Sequence, residues 1–319
     1  MTTTAAGQII RDDIEVLPVV RAHQLESVPP EQRWLVDTLW PAEGVGVIGA
    51  HPKLGKTWLG LELAVSIASG KPCLGRFEVK RPGPVLFYLA EDNAHATRDR
   101  LNALCRHHRV DLASLELLVI DVPQLRLDLK SQLARLDATI ARYRPRLLLL
   151  DPLVRLHSRD ENSSQELTPI LGHLRTLQRR HKTAIALVHH ARKQVSAGQH
   201  GQSLRGTGDI FAWADVLHYL QRRKNGLRLT IEHRSAPAPD PLLLKLFKDQ
   251  PHLEIVPDDT TREPTLQERI VQTLLRSPEP LPGKQLRTML AVNNQRLTDA
   301  LNALQRRGRI LRSTAGWHC

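Results

Sequence analysis

From about residue 40 to about residue 250, short apolar runs alternate with longer runs of helical periodicity, the pattern of βα units wound around a mainly parallel sheet. The predicted strands are GVGVIGA (44–50), PVLFYLA (84–90), LELLVI (115–120), RLLLLD (146–151), TAIALVHH (183–190), ADVLHYLQR (214–222) and LRLTIEH (227–233). Between them, TWLGLELAVSIASG keeps its apolar residues on one face and closes on Gly70, as an amphipathic helix with a glycine cap does. HATRDRLNALCRHH and LTPILGHLRTLQRRH follow the same period. Residues 1–40, with Trp34 and Trp40 just ahead of the first strand, predict an N-terminal arm docked on the core or on a neighbouring subunit.

The α/β pattern fills 41–255, and a stretch rich in Pro and charge at 256–264 predicts a linker. Residues 265–319 then predict a separate small unit of three helices followed by short strands. In its third helix Leu297, Ala300, Leu301 and Leu304 recur at i, i+3, i+4 and i+7, and Gly308 closes the run. A chain of 319 residues accommodates this arrangement of one ordinary domain and one accessory unit.

Charge adds a partner class. Lys plus Arg number 45 against 33 Asp plus Glu, a formal net charge of +12, which favours an anionic partner such as nucleic acid and says nothing about fold. Cys73, Cys105 and Cys319 are far apart and odd in number, which argues against a disulfide framework or a cysteine metal site. The CRHHR run at 105–109 lacks a fourth ligand and reads as a solvated helix face. No run approaches the ~18 apolar residues of a membrane span, and the N-terminus lacks a basic segment followed by an apolar one, so the expectation is a cytoplasmic protein with no membrane partner.

The chemistry concentrates at strand ends. In VGVIGAHPKLGKTWLG a strand leads through a turn into a helix, the arrangement in which backbone N–H groups and a helix N-terminus cradle phosphate. The predicted cradle is Ala50, His51, Pro52, Lys53, Leu54, Gly55, Lys56, Thr57 and Trp58, with Lys56 reaching the outer phosphates of ATP and Thr57 ligating Mg²⁺. The strict pattern has Gly where this chain has Ala50, and Ala lacks the positive-φ freedom of Gly.

Asp151 ends the apolar run RLLLLD, where a carboxylate can hold Mg²⁺ directly or through water; capping the next helix is the competing role. Glu91, after VLFYLA, is the candidate for polarising the attacking water, against a helix-capping role that suits Asp92 or Asn93 better. Of the two histidines ending 183–190, His189 is preferred over His190 as the group that senses the γ phosphate. The Gly, Gln and Ser-rich loop that follows offers Arg205 as an arginine finger for a neighbouring subunit and Lys193 toward a nucleic-acid strand, with solvated surface cations the alternative.

Taken together, PKLGKTWLGLELAVSIASG, GPVLFYLAEDNAHATRDRLNAL, LLLLDPLVRLHSRDENSSQELTPILGHLRTL, ALVHHARK and SLRGTGDI resemble, over roughly 40–235, the RepA-type hexameric replicative helicases of plasmids, within the RecA-like ATPases. The resemblance implies a RecA-like P-loop NTPase core of α/β class. It assigns Lys56 and Thr57 to the Walker A motif, Glu91 to the catalytic base, Asp151 to the Walker B acid, His189 to the sensor and Arg205 to a finger acting in trans. It further implies a homo-oligomeric ring, hexameric in that family, with ATP sites between subunits and single-stranded DNA in the channel. Ala50 and the extra C-terminal unit depart from that family.

That unit resembles a winged helix-turn-helix, a fold that contacts duplex DNA or docks proteins. There Arg306, Arg307, Arg309 and Arg312 are the candidates for phosphates, and Asn294 and Arg296 for base edges. Three functions stay open: an ATP-driven DNA helicase or replication protein of a mobile element, an ATP-switched DNA-binding regulator or loader without unwinding, and an ATP-driven scaffold.

Overall fold

The computed structural model describes residues 19–25, 27–160, 163–190, 208–247, 249–257, 266–306 and 308–318. In chain order the first elements are β1 (Trp34–Val36), β2 (Trp40–Pro41), β3 (Val45–Ala50), α1 (Lys56–Ser69), β4 (Val85–Leu89), α2 (Ala94–His108), β5 (Leu117–Val119), α3 (Lys130–Tyr143), β6 (Leu147–Asp151), α4 (Ser164–His181) and β7 (Ala184–His190). There follow α5 (Gly208–Trp213), β8 (Val216–Arg223), β9 (Gly226–His233), β10 (Leu242–Phe247), β11 (His252–Ile255), α6 (Leu266–Leu275), α7 (Gly283–Leu290), α8 (Asn294–Arg306), β12 (Leu311–Arg312) and β13 (Trp317–His318). Each of the seven strands expected from the pattern is present, with its ends moved by no more than two residues.

Among the described residues nine strands form one sheet, in the order β11-β10-β9-β8-β3-β7-β6-β4-β5. From β8 to β5 all neighbours are parallel, and β9, β10 and β11 extend the β8 edge as an antiparallel meander. Every residue of β3 and β6 is buried, as strands covered on both faces require. On one face Ile48, Ala50, Leu147 and Leu149 pack with Leu59, Leu63 and Ile67 of α1 and with Leu101 and Leu104 of α2. On the other, Val45, Val47, Leu148 and Leu150 pack with Leu136 and Ile140 of α3, with α4 and with Trp213 of α5. The period-2 alternation of β3 and β6 thus feeds two cores, one on each side of the sheet. Among the described residues no helix is long and apolar enough to cross a membrane.

Part of the expected arm belongs to the core. Leu35, Val36, Leu39 and Trp40 are fully buried in their own chain. The Trp40 indole donates to Gly44 O at 3.3 Å and fills the space beside Gly46, where a Cβ would meet the ring at 2.7 Å and Val216 Cγ1 at 2.5 Å. A side chain at 46 would therefore expel Trp40 or push β3 off β8.

Next to Trp40 lies His218, on β8, its ring edge-on to the indole at 5.2 Å. Its Nε2–H donates to Leu39 O at 3.0 Å, while Nδ1 has no partner among the described residues. Complete burial pushes its pKa down to about 4, with the Leu39 carbonyl opposing and His233 assisting. The folded value lies below the ordinary histidine value of 6.5, so this contribution to stability is present above pH 6.5 and drains away as the pH falls towards 4. The integrated loss is about 3 kcal/mol. Urea midpoints measured between pH 7 and pH 4 are expected to fall more steeply in the native chain than in His218→Phe; equal slopes would remove the assignment.

The C-terminal unit has its own core. Leu297, Ala300, Leu301 and Leu304, the predicted stripe of α8, are buried with Ile270, Leu286, Leu290 and Trp317. Asn293 Oδ1 caps the helix by accepting from Arg296 N–H at 2.9 Å, and Gly308 takes φ 66° beyond its end. β12 and β13 form an antiparallel ribbon tied to Leu281 by two 2.9 Å backbone bonds with Trp317.

Candidate active site

The carboxyl ends of β3, β4, β6 and β7 meet at one rim of the sheet, the side on which open α/β sheets bind ligands. From β3 the chain turns into α1, taking left-handed backbone at Lys53 (φ 62°) and Gly55 (φ 81°). Space beside Gly55 is open, its ideal Cβ lying 3.7 Å from Leu227 Cδ1, so φ is what selects glycine there. Ala50 is still in the strand, opposite His190 on β7 and Leu220 on β8. Its backbone is not left-handed, so the departure from the strict glycine pattern imposes no strain.

The turn delivers the first N–H groups of α1 to the rim, unpaired within the helix as such groups always are. Lys56, only 7% exposed, curls over the turn and donates from Nζ to Ala50 O at 3.3 Å and His51 O at 3.1 Å. Burial lowers the pKa of this ammonium, and the carboxylates of Asp151 and Glu91 pull it back up. The Thr57 hydroxyl faces the carboxylate of Asp151 and favours its charged form.

Asp151 is 6% exposed, and its Oδ2 has no hydrogen-bond partner among the described residues. Burial raises its pKa to about 6; the Thr57 hydrogen bond opposes this, Asp92 adds to it, Lys56 opposes and Glu91 adds. A desolvated carboxylate oxygen with no donor, beside a threonine hydroxyl, is an environment that a hard cation satisfies. Asp151 and Thr57 fit Mg²⁺ on that ground. Among the described residues no cluster of three His, Cys, Asp or Glu could cage an ion alone, so such a cation would need oxygens from a ligand, as Mg²⁺ in phosphate sites does.

Glu91 follows β4. The N–H of Ala90 donates to Asp151 O at 2.7 Å, locking the ends of β4 and β6 together and holding Glu91 at the rim. Its Oε1 accepts from Arg155 Nε at 2.8 Å. Helix capping, the competing role for this segment, falls to Asn93, whose Oδ1 accepts from Ala96 N–H at 2.8 Å. Asp92 pairs with Arg100, whose guanidinium lies over the Trp58 ring at 5.8 Å.

These groups surround a cleft of about 500 Å³. Pro52, Lys53, Gly55, Lys56, Thr57 and Trp58 line it, facing Glu91 and Asp151. Ala50 and Leu54 instead belong to the apolar core behind the turn, and His51 contributes its carbonyl to Lys56. His190, not the favoured His189, lines the cleft: successive residues of a strand face opposite ways, and His189 is fully buried. Arg100, Pro152 and Leu246 complete the lining, and sequence patterning assigns none of the three a role of its own.

The other candidates fall elsewhere. Lys193, Arg205 and Arg307 lie outside the described residues, as does the side chain of Arg306. Asn294, Arg296, Arg309 and Arg312 are exposed on the C-terminal unit, with the Arg312 guanidinium 5.5 Å from the centre of the Trp317 ring.

A family model described as an AAA domain matches residues 11–196, more than half of the 319. Among solved structures, one ATPase domain superposes with a TM-score of 0.51 at 16% identity, over 67% of this chain and 85% of that one. A DnaB-like replicative helicase, determined with its interactions with primase, gives a TM-score of 0.52 at 17% identity, over 67% of this chain and 57% of the other. The chain therefore spans little more than half the length of that helicase. At such identities the likeness is one of fold, and with the sheet order above the architecture fits a RecA-like P-loop core.

Proposed function

The chain belongs to the AAA domain family, and from that premise we propose that it is a ring-forming ATPase that couples hydrolysis of Mg-ATP to binding or translocating DNA, as a helicase or replication protein of a mobile element. The observation that carries the proposal is the convergence of Lys56, Thr57, Asp151 and Glu91 on one cleft at the end of β3. In this reading the N–H groups of α1 and the Lys56 ammonium bind the phosphates, and Asp151 with Thr57 holds Mg²⁺. The cation would supply neutralisation of phosphate charge. Glu91 accepts the proton of the attacking water, and His190 takes the place beside the γ phosphate first given to His189. Arg205 is proposed as the finger donated to a neighbouring subunit's site, and Lys193 as a contact to single-stranded DNA in the channel.

The DNA part of the proposal is supported by the formal charge of +12 and by the exposed Arg296, Arg309 and Arg312 of the C-terminal unit. Three helices followed by a two-stranded ribbon suit a winged helix on duplex DNA. Support also comes from the two structural neighbours, one described as an ATPase domain and the other as a replicative helicase.

The experiment is the ATPase rate of the full chain with no DNA, with single-stranded DNA and with a forked duplex, read beside its mass in solution. Turnover stimulated by DNA, strand displacement from the fork and the mass of a hexamer are the expected results. Stimulation without displacement would favour the ATP-switched regulator or loader, and indifference to DNA the scaffold. Absence of any Mg-dependent hydrolysis would remove all three.

A further inference from the structure

Glu91 meets Arg155 in a way that the phosphate cradle does not require. β6 ends at Asp151 and the chain enters one 3-10 turn, Leu153–Arg155, closed by Arg155 N–H on Pro152 O at 3.1 Å. β4 runs beside β6 in the register Leu89↔Asp151, and the Ala90 to Asp151 bond continues that pairing past the end of the ladder. Residues 91 and 155 therefore emerge on the same rim from neighbouring strands. There Arg155 Nε donates to Glu91 Oε1 at 2.8 Å, with the two side chains 63% and 47% exposed.

An ion pair so exposed adds little to stability, so the fold gives no reason for it. The charges around it do. Asp151 faces Thr57 and Lys56, Asp92 is taken by Arg100, and His190 lines the same cleft. Glu91 has begun the segment beyond β4, and Arg155 donates the side-chain hydrogen bond that fixes its carboxylate.

We infer that Arg155 is a positioning residue for hydrolysis: it holds the Glu91 carboxylate by Oε1 and leaves Oε2 to take the proton of the attacking water. The inference rests on the reading of Glu91 as the base. It acts on the orientation of one carboxylate and not on nucleotide affinity, since Arg155 is not among the residues lining the cleft. A base displaced by about 1 Å costs on the order of 10²-fold in rate.

The test is steady-state hydrolysis of Mg-ATP by the full chain carrying Arg155→Ala, Arg155→Lys, Glu91→Gln, or Arg155→Ala with Glu91→Gln. Arg155→Ala is expected to lower kcat by about 10- to 100-fold with KM for ATP and the thermal midpoint unchanged. Arg155→Lys should recover part of the loss, because it keeps a cationic donor without the planar fork. In the Glu91→Gln background, where kcat is already low, adding Arg155→Ala should cost nothing further, the non-additivity of two groups acting through one step. Full kcat in Arg155→Ala, the same fold-loss in both backgrounds, or a raised KM with kcat intact would each overturn the inference. Wild-type turnover in Glu91→Gln would overturn the base assignment and the inference together. Lost turnover in Glu91→Gln beside an undiminished Arg155→Ala would overturn the inference alone.

Discussion

Lys56→Ala is expected to lower Mg-ATP turnover by about 10²–10³-fold or more while the chain stays folded. The Nζ group lies over the turn within 3.3 Å of two of its carbonyls, Ala50 O and His51 O, and phosphate oxygens arriving at the N-terminus of α1 would compete with those carbonyls for its protons. Removing it deletes the ammonium of the proposed cradle and leaves only the helix amides. It also removes a cation that pulls the pKa of Asp151 down, so the carboxylate proposed to hold the metal would spend more time protonated. Both effects act against catalysis. The fold should survive, because among the described residues the Lys56 ammonium is hydrogen-bonded only to the Ala50 and His51 carbonyls, and its loss relieves a desolvation cost. Turnover, nucleotide affinity and thermal midpoint measured on one preparation decide the matter. Wild-type turnover in the variant would end the phosphate-loop reading.

The parallel half of the sheet was legible because fully covered strands must be apolar throughout, and β6 and β7 have almost no other reading. β10 and β11 were not legible. Leu242–Phe247 follows a proline-rich stretch, and what makes it a strand is its pairing with Leu227–Leu229 of β9, a partner that local periodicity does not reveal. β1 and β2 are too short to show a period, and Trp40 reads as arm or core alike until Gly46 is seen to leave room for it.

At the site, the Lys56, Thr57, Asp151 and Glu91 set could be read from strand ends because parallel topology brings those ends together. The choice between His189 and His190 depended on which face of β7 turns to the cleft, and with both faces of the strand buried the apolar pattern carried no such phase. Arg100 and Arg155 could not be found: each is one arginine among many on a basic chain, marked only by Asp92 and Glu91 lying opposite. The missing glycine at position 50 was a departure in sequence but not in conformation, since positive φ is needed at 53 and 55 instead.

Asp151→Asn is expected to separate stability from function, abolishing Mg-dependent turnover while raising the melting point of the nucleotide-free chain at neutral pH. In the native chain the pKa of Asp151 is about 6 against an ordinary 3.8, chiefly because burial disfavours its charge. The stability associated with its neutral form is fully present below pH 3.8 and lost as the pH rises through 6. The loss amounts to about 3 kcal/mol by pH 7. Asparagine keeps the shape, keeps an acceptor for the Thr57 hydroxyl and carries no charge. Its amide protons must find partners where Oδ2 has none, so the net gain at pH 7 should be about 1–2 kcal/mol, a rise of several degrees for a domain of this size.

The gap between variant and native chain should close as the pH falls from 7 to 4, because the native carboxylate then becomes neutral as well. Addition of Mg²⁺ with a non-hydrolysable nucleotide should reverse the order, stabilising the native chain more than the variant, which lacks the carboxylate proposed to hold the cation beside Thr57. Melting curves across pH, with and without the magnesium nucleotide, read both effects. A variant less stable than the native chain at every pH between 5 and 8 would make Asp151 an ordinary structural partner, and equal stabilisation of both by the magnesium nucleotide would remove it from the metal site.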